Sequence, residues 1–208
     1  MGLKWKVAGL ITLLFLSACM ESDPTSSGNT LPSRNVRIEI DGVVVGPGKA
    51  NQDLWDCCGA VDQQTWQAFT QLASATGLVT LSAPASELLR YVANLSGSHF
   101  SAPEPIGVAS IDIGNGYALP ISLNRTTDDS FIASFGDPGW SNIQLGAGLR
   151  IKLDLYDEDL SANDFIGTAI LNTDDVQMAL ENKKVIDIYV GDQTNRQILF
   201  VKISANYM

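Results

Sequence analysis

LRIKLDLYDEDLSANDFIGTAIL (149–171) decides the fold. Ile151, Leu153 and Leu155 fall at every second position, with Lys152 and Asp154 between them. Side chains of an extended chain point alternately to opposite faces, so this spacing gives a strand with one buried face. A short acidic loop follows, and FIGTAIL (165–171) returns as a second strand. Asp157 and Asp159 continue the odd parity of the apolar positions, which places both carboxylates on the core-facing side at the end of the strand. Uncompensated charges there cost several kcal/mol. Asp157, Glu158, Asp159 and Asp164 are close enough to raise one another's pKa unless a positive charge neutralises them.

Outward from this hairpin the chain reads mostly as strands. VRIEI (36–40), GVASIDI (107–113), ALPISL (118–123), SFIASF (130–135), VIDIYV (185–190) and RQILFVKISA (196–205) have β character, and Gly, Asn, Asp and Pro clusters separate them. About eight strands at this spacing predict an all-β fold, an antiparallel sandwich spanning 36–208. TDDVQMALEN (173–182) predicts a short helix with Thr173 as N-cap and Asp174 and Asp175 at the positive end of its dipole. Residues 60–98 break the β pattern. Val61, Trp66 and Phe69, then Leu88, Leu89, Val92 and Leu95 behind Pro84, recur at near-helical spacing. They predict a helical insert after the first strand, with its apolar faces packed on the domain.

The beginning of the chain carries a different signal. Lys4 and Lys6 precede an apolar run from Val7 to Leu16, and Ser17-Ala18-Cys19 follow. A basic start, a short apolar core and small residues at the cut describe a secretory signal of residues 1–18, too short to span a bilayer. LSAC (16–19) resembles a bacterial lipobox, which implies that Cys19 is diacylated and becomes the new N-terminus. Residues 19–35 then form a Ser-, Pro- and Gly-containing tether. By the same resemblance, Met20 after the cysteine implies the outer membrane.

The chain has 208 residues, 13 basic and 23 acidic, for a formal net charge of −10. Nucleic-acid affinity comes mostly from Lys and Arg on phosphates, so this charge excludes nucleic acid as a partner. Beyond Cys19 there are two cysteines, the adjacent Cys57 and Cys58, for which a strained vicinal disulfide or burial is expected in an oxidising envelope. His99 is the single histidine, and no CxxC pair exists, which argues against a zinc site or a histidine-based triad. The acids are packed in one loop at i, i+2 rather than paired across a cleft, so glycoside hydrolysis is not expected and the chain reads as no enzyme.

LRIKLDLYDEDLSANDFIGTAIL resembles the third calcium-binding loop of a C2 domain with its flanking strands. Asp157, Asp159 and Asp164 match the D-x-D…D element, and Ile166-Gly167 follow it. GDPGW (136–140) resembles the Pro-x-Trp strand start usually found upstream of that loop. The resemblance implies a C2-like β-sandwich that binds Ca²⁺ through flexible carboxylate loops. It also implies two further aspartates from a first loop. Asp56 and Asp62 have the spacing; Asp53, or Glu104 before Pro105, are the alternatives. The expected function is a non-catalytic, membrane-anchored envelope module with a calcium-binding loop that contacts phospholipid or an envelope protein partner. The runner-up is a metal-independent envelope scaffold acting through protein contacts, its loop a solvated acidic turn.

Overall fold

A computed structural model describes residues 34–55, 60–76, 102–126, 130–146, 148–159 and 162–208. The signal 1–18, Cys19, most of the 19–35 tether, Asp56, Cys57, Cys58, Pro84, His99 and the second half of the helical insert lie outside the described residues. Ser33–Met208 is one compact unit.

Nine strands and two helices are described. In chain order they are β1 (Asn35–Val45), α1 (Gln63–Thr76), β2 (Pro105–Asp112), β3 (Tyr117–Leu123), β4 (Ile132–Ser134), β5 (Gly139–Gln144), β6 (Arg150–Asp157), β7 (Asp164–Asn172), α2 (Thr173–Asn182), β8 (Ile186–Tyr189) and β9 (Ile198–Tyr207). One sheet runs β4-β1-β9-β8, with β5 also paired to β1; the other runs β3-β2-β6-β7. Every pairing is antiparallel. The all-β, two-sheet reading of the sequence is therefore correct.

Alternation builds the core. Val36, Ile38 and Ile40 of β1 and Ile151, Leu153 and Leu155 of β6 are fully buried, as are Val201 and Ile203 of β9. β-branched side chains suit these half-buried pleated surfaces. The alternation fails after Ile40, where a register shift against β9 lets Val43, Val44 and Val45 all become buried. Past this shift β1 stops pairing with β5 and pairs with β4 instead. Gly42 occupies the changeover because a Cβ there would stand 2.1 Å from the Ala133 carbonyl oxygen.

Two expectations need correction. β5 is a ninth strand that the pattern concealed. Its buried residues, Trp140 and Ile143, are three apart because Asn142, at φ 59°, adds an extra residue opposite β1. GDPGW does lead into a strand, with Trp140 buried and its indole N–H donating to the Leu119 carbonyl at 2.6 Å. The N-cap of α2 is Asn172, not Thr173. The Asn172 side chain accepts from the Asp174 and Asp175 N–H groups, and the Asp175 carboxylate accepts from the Asn172 N–H, which completes a capping box. The Thr173 hydroxyl instead donates to the Gly146 carbonyl at 2.7 Å. Of the helical insert, α1 is confirmed, and Phe69 on it is buried in the sandwich core.

Candidate functional site

The register of β2, β6 and β7 sets the site. Asp157 pairs with Pro105 on one side and with Asp164 on the other. Three chain segments therefore end together at one rim of the four-stranded sheet: Glu104 before β2, Asp157 to Asp159 at the end of β6, and Asp164 at the start of β7. Arg125 lies two residues beyond β3, whose Leu123 pairs with Gly107 near the same end.

Asp157 is fully buried, as the odd parity of β6 predicts. Its Oδ1 accepts the Glu104 backbone N–H at 2.6 Å, and the Glu158 N–H donates to the Glu104 carbonyl at 3.1 Å. These bonds fasten Glu104 to the end of β6, although the two lie 53 positions apart in sequence. Glu104, an alternative first-loop candidate, thus belongs to the rim.

Two cations face these carboxylates. Lys49, from the GPGK turn after β1, forms an ion pair with Asp164. Burial works to lower the Lys49 pKa, but the hydrogen bond to Asp164 and the charges of Asp164, Asp157 and Asp159 outweigh it and hold the ammonium above its usual range. Of the D-x-D…D element, Asp164 contacts this ammonium directly, and Asp157 and Asp159 bear on it through their charge alone. Arg125 binds the other two acids: it pairs with Glu104 at 2.9 Å and with Glu158. Sequence reasoning singled out neither cation, since Lys49 is 115 positions from Asp164 and Arg125 is 33 from Glu158.

The Lys49 turn is rigidly tied. The Lys49 N–H donates to the Asp53 carbonyl and the Gln52 N–H to the Lys49 carbonyl, both at 2.8 Å. Gly48 lets the turn close, because a Cβ there would stand 2.6 Å from the Asp53 carbonyl oxygen. Gln197 connects this turn to β7. Its Oε1 accepts the Ala50 N–H at 2.7 Å, and its Nε2 donates to the Ile166 carbonyl. That double contact sets Lys49 beside the start of β7, where Asp164 lies.

The remaining first-loop candidates have other roles. Asp62 sits at the N-terminus of α1, where one carboxylate oxygen accepts the Thr65 N–H at 2.9 Å and the other its hydroxyl at 2.5 Å. These bonds hold its pKa below the ordinary value. Asp62 is a helix cap because a carboxylate just before a helix satisfies free N–H groups there. The Asp53 carboxylate accepts from the Asn51 side-chain amide at 2.5 Å. Asp56 lies outside the described residues.

The C2 resemblance implies calcium at this rim. Among the described residues, no three His, Cys, Asp or Glu side chains come together as a group that could hold a metal ion. Asp164 is ion-paired to Lys49, and Glu104 and Glu158 to Arg125.

No family model matches the chain, and no curated protein matches it. Among solved structures, it is similar to the calcium-bound pair of C2 domains of extended synaptotagmin 2, at 13% identity and a TM-score of 0.37, over 84% of this chain and 46% of that one. It is similar to a C2 domain of plant extended synaptotagmin 1, at 11% identity and a TM-score of 0.36, over 85% of this chain and 97% of that one. It is also similar to human GIVD cytosolic phospholipase A2 in complex with a fluorophosphonate inhibitor and terbium chloride, at 10% identity and a TM-score of 0.36, over 85% of this chain. The chain spans 18% of that phospholipase's length.

Proposed function

We propose that the chain is a non-catalytic, membrane-anchored envelope lipoprotein of the outer membrane, whose C2-like sandwich contacts phospholipid headgroups or an envelope protein through its charged rim. The observation that supports this reading is the gathering of five carboxylates, Glu104, Asp157, Glu158, Asp159 and Asp164, with two cations at one end of one sheet. Charges at such density direct orientation and partner choice more than they add affinity. Cys19 supplies the anchor, and the rim supplies the second contact that a single lipid signal needs for firm attachment. Envelope fractionation tests the anchor: the wild-type chain is expected with outer-membrane vesicles, and Cys19→Ala in the soluble fraction. Recovery of Cys19→Ala with the membrane at wild-type yield would refute it. Charge reversal at the rim, Glu158→Lys with Asp159→Lys, is expected to change co-sedimentation with anionic vesicles or with an envelope extract, which separates the lipid partner from the protein one.

Calcium binding by Asp157, Asp159 and Asp164 is the second reading. It is favoured by the strand register, which sets Asp157 opposite Asp164 at the end of β6, with Asp159 two residues on. A ligand that binds only the folded state stabilises it by about 2.7 kcal/mol at a hundred times its dissociation constant. A calcium-dependent rise in melting temperature, absent from Asp157→Asn/Asp159→Asn and weak with magnesium, would support this reading. No shift in millimolar calcium would rule it out.

A further inference from the structure

Five carboxylates at one rim require compensation, and two cationic side chains form ion pairs there. Lys49 is in electrostatic reach of Asp157, Asp159 and Asp164, while Arg125 pairs with Glu104 and Glu158. Asp164, Glu104 and Glu158 are thus in direct ion pairs with these two side chains. Both cations are largely shielded from solvent, with side-chain exposures of 26% for Lys49 and 16% for Arg125, so salt screens their interactions less than those of freely exposed pairs.

Their placement is built into the fold. Lys49 is carried by a turn closed on Asp53, and Gln197 fastens that turn to Ile166, two positions from Asp164. Arg125 follows β3 at the end where Leu123 pairs with Gly107. A charge fixed by the fold is present at a constant effective concentration, whereas a free ion must be supplied by the medium.

We infer that Lys49 and Arg125 are the resident counter-ions of this rim, standing where a divalent metal would otherwise be required, and that the rim holds together without calcium. Gln197 is a positioning residue in this arrangement. The inference rests on neither the lipid anchor nor the partner contact, so failure of those leaves it untouched; it competes directly with the calcium reading.

The test is a thermal melt of the full chain in detergent, in chelator and in millimolar calcium, with calcium alone as the probe. The wild-type chain is expected to melt at the same temperature in both. Lys49→Met, which keeps the stem and removes the charge, is expected to melt lower in chelator by about 2–4 °C and to recover in calcium. That acquired response separates a charge-balancing lysine from one that only packs. Lys49→Met/Asp164→Asn lowers the charge on both sides. It is expected to ignore calcium and keeps the inference testable if the single variant does not fold. A calcium response of the wild type as large as that of Lys49→Met would overturn the inference in favour of a metal centre. A Lys49→Met that melts like the wild type in both conditions would overturn it as well, as would a double variant that responds to calcium.

Discussion

Asp41 is expected to weaken the fold at neutral pH. It lies on β1 beside the changeover from β5 to β4, and its backbone carbonyl accepts the Phe135 N–H at 3.0 Å. Its carboxyl pKa is pushed from 3.8 up to about 6. Burial is the largest cause, the charge of Asp137 the next, and Glu39 adds to both; a hydrogen bond from Ser204 opposes them. Asp137 is held close because the 135–138 link is pinned to β1, with the Ile40 N–H donating to the Pro138 carbonyl at 2.8 Å.

The sign follows from proton counts. Between the unfolded pKa and the folded one, the folded chain holds more protons, so stability falls as pH rises through this window, and the full penalty is present above it. A shift of about two units has a ceiling of about 3 kcal/mol, and the partial solvation of this half-buried carboxyl reduces it to about 1 kcal/mol. Asp41→Asn removes the charge and keeps the shape. Urea unfolding across the pH range is expected to show it about 1 kcal/mol more stable than the wild type at about pH 7.5, with the gain vanishing near about pH 4. Asp137→Asn is expected to give a smaller gain of the same sign. A gain independent of pH, or a loss at every pH, would refute the titration argument.

Gly42→Ala drives a methyl into the Ala133 carbonyl oxygen, and a loss of about 1–3 kcal/mol in urea unfolding is expected at the β4–β1 junction. Asn172→Ala removes the side-chain half of the α2 capping box, leaving the backbone N–H bond to Asp175, and is expected to cost about 1 kcal/mol, whereas Thr173→Val, outside the cap, costs less. Gln193 covers the outer edge of β7: its Oε1 accepts the Ile170 N–H at 2.8 Å and its Nε2 donates to the Ile170 carbonyl at 3.1 Å. Gln193→Ala uncovers an edge that can pair with another chain, and sedimentation velocity is expected to show concentration-dependent self-association absent from the wild type.

Most strands were legible because one physical rule governed them. β6 and β7 bury one face, and alternation of apolar and polar residues reports that directly, while β9, covered on both faces, reads as a continuous apolar run rich in β-branched and aromatic residues. The rule failed where the backbone departed from period two. In β5, the extra residue at Asn142 spaces its apolar residues three apart, a spacing that reads as neither strand nor helix. In the α2 cap, Asn172 and Thr173 are adjacent and both can cap; the choice depended on the Thr173 hydroxyl reaching Gly146 across the fold.

The rim divides along the same line between local and long-range information. The parity of β6 puts Asp157 in the core-facing row, since strand geometry continues past the last leucine. The position of Asp164 opposite Asp157 follows from the hairpin. What neutralises these carboxylates depends instead on strand order: Lys49 arrives from the other sheet, and Arg125 from the far edge of the same one. A loop read in isolation shows unbalanced acids, and a metal is then the economical explanation. A lysine in a Pro-Gly turn 115 residues away carries no local mark of its partner. An acidic loop at a strand end therefore argues for a cation of some kind. Whether that cation is a free ion or a side chain is decided by topology, through the strands that end at the same rim.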